Sequence, residues 1–304
     1  MTKTSKLAFL AGLVDGDGSI SISVIRKKDC NSNSFQPYIS IGVTSRKLCK
    51  WVQQHFGGNL YGYDQANGHQ KMYHWKLYGK QALRDLIVQL LPYLLIKKAA
   101  ANTVLEYMDL GSEPNQEERL RIAEKIKKVN SNNHLTTDTR SMSKRESMAY
   151  LAGIVDTEGA IGIRDNKGEA FGAYVMINST NESLIKWIES LFEGKVSKHE
   201  YLAATNRDNN LWALYGKQNI ENFILAILPY LVIKKEIANI VLQFVRLKNT
   251  WNKEERTRLF QTIRTLQVRC SIPTTNVPDG ILTPKIESDL DCEVESAPLV
   301  TATA

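Results

Sequence analysis

The chain is poor in the residues from which several common centres are built. Its four cysteines (Cys30, Cys49, Cys270 and Cys292) are scattered, with no CxxC pair and no disulfide-like spacing, as in a reducing compartment. Its five histidines (His55, His69, His74, His134 and His199) show no metal-ligand spacing, which argues against a zinc or histidine-metal centre. No Gly-x-x-x-x-Gly-Lys-Ser/Thr loop occurs, so nothing supports ATP use. No apolar run reaches the roughly 18–20 residues that a membrane span needs. No secretory leader is visible before the first motif at Leu10. These absences point to an intracellular protein of the cytoplasm or an organelle, not a secreted or membrane one.

What is present is a globular composition, 43% hydrophobic and 23% charged, in 304 residues, enough for two domains with a core each. The net charge of +7 is uneven. Residues 271–304 hold six acids (Asp279, Glu287, Asp289, Asp291, Glu293 and Glu295) against Lys285, leaving the rest with 38 bases and 26 acids. A basic body favours a polyanionic partner.

The chain also says nearly the same thing twice. Residues 10–18 read Leu-Ala-Gly-Leu-Val-Asp-Gly-Asp-Gly and residues 151–159 read Leu-Ala-Gly-Ile-Val-Asp-Thr-Glu-Gly. Leu91-Pro92-Tyr93-Leu94-Leu95-Ile96-Lys97-Lys98 recurs as Leu228-Pro229-Tyr230-Leu231-Val232-Ile233-Lys234-Lys235, an offset of 137. Tyr78-Gly79-Lys80-Gln81 and Glu117-Glu118-Arg119 recur at that same offset. The offset is 136 at Trp51/Trp187 and 141 at Leu10/Leu151, so small insertions fall between anchors. This is a tandem duplication, not a solenoid.

Within each copy the hydrophobic period switches. Residues 6–16 read as a helix, whereas Ser19-Ile20-Ser21-Ile22-Ser23-Val24 alternates as a strand with one wet face. Residues 36–44 alternate too, and a helix over 45–56 is stopped by Gly57-Gly58. Strands over 59–65 and 70–78 flank the hairpin signal Asn67-Gly68. Helices follow over 80–91, 97–109 and 116–129. The second copy predicts helix 145–157, strands 160–166 and 172–179, helix 181–193, strands 195–201 and 209–215, and three helices to about 267. The expected fold is α+β, a tandem pseudo-two-fold repeat of two four-stranded antiparallel sheets, each with helices on one face and the other face open. The expected units are 1–129, a polar linker 130–144, 145–268, and an acidic, flexible tail 269–304.

Ala8, Gly12 and Gly16 share one helix face, as do Ala149, Gly153 and Thr157, and small residues at this spacing let two backbones approach closely. The two helices would pack side by side and bring Asp17 near Glu158. Two acids at negative helix ends repel each other and the macrodipoles, so a cation is expected there. Hard oxygen donors favour Mg²⁺ over Zn²⁺, with Mn²⁺ or Ca²⁺ as substitutes in binding. Asp15 and Asp156 read as structural hydrogen-bond acceptors, and Tyr93 and Tyr230 as core.

With both nonapeptides and the Leu-Pro-Tyr-Leu blocks, the chain resembles the LAGLIDADG homing endonucleases in their single-chain, two-repeat form, over roughly residues 6–267. The resemblance implies a saddle that straddles double-stranded DNA. It implies that Asp17 and Glu158 bind metal at the scissile phosphates, with the backbone carbonyls of Gly16 and Thr157 as further ligands. Lys97 and Lys234 match the family's catalytic-pocket lysine, although a helix-terminal or solvated role is the alternative. Ser45 and Asn181 occupy a position that often holds glutamine; Asn181 is long enough to hold a water, and Ser45 is a departure. The resemblance further implies 5′-phosphate and 3′-hydroxyl ends with a short 3′ overhang.

DNA reading is expected from the open sheet faces, since a two-stranded ribbon fits the major groove. Alternation selects Ser19, Ser21, Ser23, Lys27, Gln36, Tyr38, Ser40, Tyr61, Tyr63, Gln70, His74 and Lys76 in the first repeat. In the second it selects Arg164, Asn166, Tyr174, Met176, Asn178, Lys195, Ser197, His199 and Asn209. A strand of ~8–9 residues spans ~28 Å, or about eight base pairs, so two halves imply a target on the order of 16–22 base pairs. The expected activity is a metal-dependent double-strand cut by a monomer at a long asymmetric site, promoting homing of an intron or intein. The alternatives are an RNA maturase acting on its intron RNA, or a catalytically silent DNA-binding protein.

Overall fold

The computed structural model describes residues 1–26, 33–64, 70–110, 116–131, 142–166, 170–199, 209–247 and 253–271. The first repeat runs α1 (Lys3–Asp17), β1 (Gly18–Arg26), β2 (Asn33–Val43), α2 (Arg46–Phe56), β3 (Asn59–Tyr63), β4 (Met72–Leu77), α3 (Lys80–Leu90), α4 (Lys98–Asp109) and α5 (Gln116–Ser131). The second runs α6 (Lys144–Glu158), β5 (Gly159–Asn166), β6 (Ala170–Ser179), α7 (Glu182–Leu191), β7 (Lys195–His199), β8 (Asn209–Leu214), α8 (Lys217–Ile227), α9 (Lys235–Arg246) and α10 (Lys253–Ser271). The sheets have the orders β1-β2-β4-β3 and β5-β6-β8-β7, and all their pairings are antiparallel. This is the expected fold class. The Asn67-Gly68 hairpin, linker residues 132–141 and the tail from 272 lie outside the described residues.

The alternation of the strands becomes a division between two faces. Ile20, Ile22, Ile39, Ile41, Trp75 and Leu77 bury one face of the first sheet, and Ile161, Ile163, Val175, Ile177, Trp212 and Leu214 bury that of the second. Each such side chain contributes about 1.5–3 kcal/mol in apolar transfer, and a slip of one residue would turn the whole set to water. The turn after α2 needs glycine: Gly57 has φ +70°, and its N–H closes the helix onto the Gln53 carbonyl at 2.9 Å.

α1 and α6 form the seam between the repeats. From Leu7 to Asp15, and from Ser147 to Asp156, every residue is buried, so these helices are enclosed on all sides rather than amphipathic. Their closest approach is reciprocal. A Cβ on Gly12 would lie 2.1 Å from the Tyr150 carbonyl oxygen, and one on Gly153 would lie 2.3 Å from the Phe9 carbonyl oxygen. Each helix also packs an aromatic residue against its own repeat. Phe9 meets Trp51 edge-on at 4.9 Å between ring centroids, and Tyr150 meets Trp187 at 5.4 Å. α1 begins three residues before the expected helix because Thr2 caps it, its hydroxyl accepting from the Ser5 N–H at 3.2 Å. α10 runs past the expected end near 267 to Ser271.

Candidate active site

Asp17 and Glu158 are the last residues of α1 and α6, and their carboxyl groups lie close enough for each to act on the titration of the other. Burial raises the pKa of both, and the Asp17 charge raises Glu158 further. Gly16 lies against Thr157: a Cβ on Gly16 would fall 2.2 Å from the Thr157 Oγ1.

The cationic compensation read from the sequence as metal is supplied in part by the chain. Lys97 Nζ donates to the carbonyls of Val14 (2.7 Å), Asp15 (2.9 Å) and Gly16 (3.2 Å) at the end of α1. Lys234 Nζ donates to Val155 (2.6 Å), Asp156 (3.1 Å) and Gly159 (2.6 Å) at the end of α6. Each ammonium thus serves three carbonyls at the negative end of a helix. Burial lowers both lysine pKa values, while Asp17 and Glu158 act on both in the opposite direction. The third acceptor differs between the halves. Gly16 offers its carbonyl to Lys97, whereas Lys234 reaches past the equivalent Thr157 to Gly159.

The preceding aspartates close the exchange. Asp15 accepts from the backbone N–H groups of Leu95 (2.7 Å), Ile96 (3.0 Å) and Lys97 (2.8 Å) at the start of α4. Asp156 does the same for Val232 (2.8 Å), Ile233 (3.3 Å) and Lys234 (3.0 Å) at the start of α9. Each nonapeptide aspartate therefore holds the backbone N–H groups that lead into the helix its lysine precedes, and each lysine binds carbonyls at the end of the helix that carries its aspartate. Asp15 has one further donor, the Tyr150 hydroxyl at 2.9 Å, for which the equivalent Phe9 offers Asp156 no counterpart. Tyr93 reaches Glu146 at 3.5 Å.

Ser45 and Asn181 stand at helix N-termini. The Ser45 hydroxyl accepts from the Leu48 N–H at 3.3 Å, and the Asn181 carboxamide oxygen accepts from the Leu184 N–H at 2.9 Å. A capping oxygen at these positions is the role that the geometry displays.

The open sheet faces carry the expected readers. Register sets Ser19, Ser40, Lys76 and Asn59 in one row across the first sheet, with Ser21, Ser23, Gln36, Tyr38, His74, Tyr61 and Tyr63 on the same face. Lys76 Nζ sits 4.1 Å from the centroid of Tyr38, and the Tyr63 hydroxyl meets His74 Nε2 at 2.9 Å. Burial, then Lys76, lowers the His74 pKa. Gln70 precedes β4, and Lys27 lies outside the described residues. In the second sheet Arg164, Tyr174, Met176, Asn178, Lys195, Ser197 and Asn209 share the outer face, and Asn166 and His199 hold strand positions of the same parity. Tyr78 and Tyr215 escaped the sequence reading. Tyr78 bonds the Tyr61 hydroxyl at 2.6 Å, and Tyr215 lies 5.0 Å beneath the Arg164 guanidinium. Their matched places after β4 and β8 were the available signal.

Among the described residues, no group of three or more His, Cys, Asp or Glu side chains comes together to hold a metal, and no helix is long and apolar enough to cross a membrane. The donor set at the seam is two carboxyl groups and nearby backbone carbonyls. That set suits a hard divalent cation that keeps several of its own waters, and it is too poor in nitrogen and sulfur for zinc.

The family model described as LAGLIDADG endonuclease matches residues 10–105. No curated protein matches the chain in sequence. Among solved structures, that of I-GzeII in complex with its DNA target aligns with a TM-score of 0.65 at 16% identity, covering 84% of this chain and 97% of that one. I-SmaMI bound to uncleaved DNA in the presence of calcium ions aligns at 0.59 and 14%, covering 86% and 97%. I-CpaMI bound to uncleaved DNA aligns at 0.60 and 13%, covering 86% and 98%. Residues 10–105 carry the signature of the LAGLIDADG endonuclease model, and both repeats share the fold of these single-chain, two-repeat structures.

Proposed function

We propose that the chain is a site-specific DNA endonuclease that makes a divalent-metal-dependent double-strand break as a monomer. The observation that carries this reading is the meeting of Asp17 and Glu158, one acid from each repeat, at the seam between two open sheet faces. The structures it resembles include I-SmaMI bound to cleaved DNA. A basic body with aromatic and hydroxyl side chains on both faces suits a duplex. The expected target is on the order of 16–22 base pairs and asymmetric, because two unlike faces of about eight base pairs each would read it. Homing of an intron or intein is the biological role implied.

Asp17 and Glu158 would hold Mg²⁺, with Mn²⁺ or Ca²⁺ as substitutes in binding. When bound, the ion supplies a Lewis acid for a phosphoryl oxygen and lowers the pKa of water. The chain does the rest. Asp15 and Asp156 lock Lys97 and Lys234 against the helix ends, and this fixes where both acids stand. Burial favours the neutral form of both acids, and both must be ionised to act as two anionic ligands. The ammonium groups of Lys97 and Lys234 lie close enough to favour both ionised acids. They are also placed to oppose charge that builds on a phosphate at the seam.

The test is incubation of the full chain with a randomised duplex library, with and without Mg²⁺, followed by sequencing of the ends. Metal-dependent double-strand cuts at one long site are expected. Folded protein that cuts no duplex in any divalent metal would overturn the reading.

A further inference from the structure

The two outer faces are built in the same register from opposite chemistry. In the first sheet, the row two residues beyond Asp17 is Ser19, Ser40, Lys76 and Asn59. In the second, the row two residues beyond Glu158 is Ala160, Met176, Ala213 and Lys195. The repeat offsets make these rows equivalent position by position. In the next row the contrast holds at one position, where His74 corresponds to Leu211, while Gly42 and Tyr61 correspond to Asn178 and Ser197. Ala160, Met176 and Leu211 neither belong to the hydrophobic core nor pack against it, whereas Ala213 is buried. Ala160 is exposed, Met176 and Leu211 are half-buried, and Ala213, 4% exposed, floors the strip between them.

These four side chains offer no hydrogen bond to a base edge. An apolar side chain on a base-reading face discriminates by contact with the thymine C5-methyl group, the one apolar feature of the major-groove edge. The strip is too small to serve as a protein interface, which needs about 20–30 residues a side. It also lies inside a cationic face, with Lys195 at the end of its own row and Arg164 exposed further along β5. Resting on the duplex-reading function above, we propose that the second repeat recognises thymine methyl groups through Ala160, Met176 and Leu211, with buried Ala213 as the floor of the strip. The first repeat, with hydroxyls and Lys76 in the same row, reads hydrogen-bonding base edges. The half-site under the second repeat is therefore thymine-bearing at the base pairs nearest the cut, and the other half is not so restricted.

The experiment selects duplexes retained by the full chain from a randomised library. The half under the second repeat is identified as the one whose selected bases change with Arg164→Ala. Each thymine of that half is then replaced by deoxyuridine, which deletes the methyl group and leaves every hydrogen-bonding atom. Binding is expected to weaken about four-fold per thymine facing the strip, the equivalent of one buried methyl group. Deoxyuridine in the other half should leave it unchanged. Met176→Ser should abolish the sensitivity at one position while retaining the fold, since Met176 lies outside the core. A selected half-site without thymine at those positions, or one indifferent to deoxyuridine, overturns the inference and leaves the endonuclease intact. Failure to retain any defined sequence would sink both.

Discussion

The seam and the outer faces of the sheets have diverged to different degrees since the duplication. At the seam, Asp15/Asp156, Lys97/Lys234 and Gly12/Gly153 are identical pairs making matching contacts. On the outer faces, Lys76 corresponds to Ala213, Ser40 to Met176 and His74 to Leu211, with the pairing register the same. A backbone scaffold tolerates exchange on a solvent face because register is held by the buried alternation beneath it. It tolerates little at the seam, where backbone touches backbone and buried charges complete each other. A molecule that grips an asymmetric partner around a near-symmetric centre needs this combination.

That comparison can be broken from either side. Gly12→Ala should cost about 3 kcal/mol or more, because its new methyl group meets a carbonyl oxygen of the facing helix rather than a movable side chain. Gly153→Ala should match it, and unequal losses by chemical denaturation would show that the seam is less symmetric than its contacts. Lys97→Met and Lys234→Met should each lose about 2–3 kcal/mol, leaving an aspartate and three helix-end carbonyls without their cation. A loss within error of zero would mean that water replaces the ammonium freely. Tyr150→Phe should cost about 1–2 kcal/mol by removing a donor from buried Asp15. It would make α6 resemble α1, where Phe9 already stands. An unchanged denaturation midpoint would remove this one asymmetry of the seam from the account.

The smallest effect concerns the acids. Asp17 and Glu158 carry raised pKa values in the fold, chiefly from burial, and so hold protons more tightly there than in the unfolded chain. The pair's contribution to the stability of the metal-free protein should therefore be fully present below the ordinary carboxylate range and be lost as pH rises through the raised values. Asp17→Asn should flatten that dependence and raise Tm at neutral pH. A lower Tm at pH 7 would show that the ionised pair stabilises the fold.

The architecture was legible because it rests on local signals. Alternation at Ser19–Val24 gave β1, and Gly57 gave the end of α2. The bringing together of Asp17 and Glu158 was legible from the duplicated small-residue stripe. The reciprocal caps were not, because Asp15 and Lys97 stand 82 residues apart and nothing local links them. What could have linked them is that both repeats hold an aspartate and a lysine at nearly equal separation. Of the Ala160–Met176–Ala213 row, alternation selected Met176, and the two alanines were missed for a different reason. A search of the open face for polar readers passes over residues whose meaning lies in having no polar atom.

The central claim is that the two acids form one shared centre rather than two independent ones. Strand-resolved cleavage by Asp17→Asn, on a duplex labelled differently on each strand, tests it most directly. With the two carboxyl groups in mutual contact, cutting of both strands should fall together, while duplex binding persists. Normal cutting of one strand with loss of the other would contradict it.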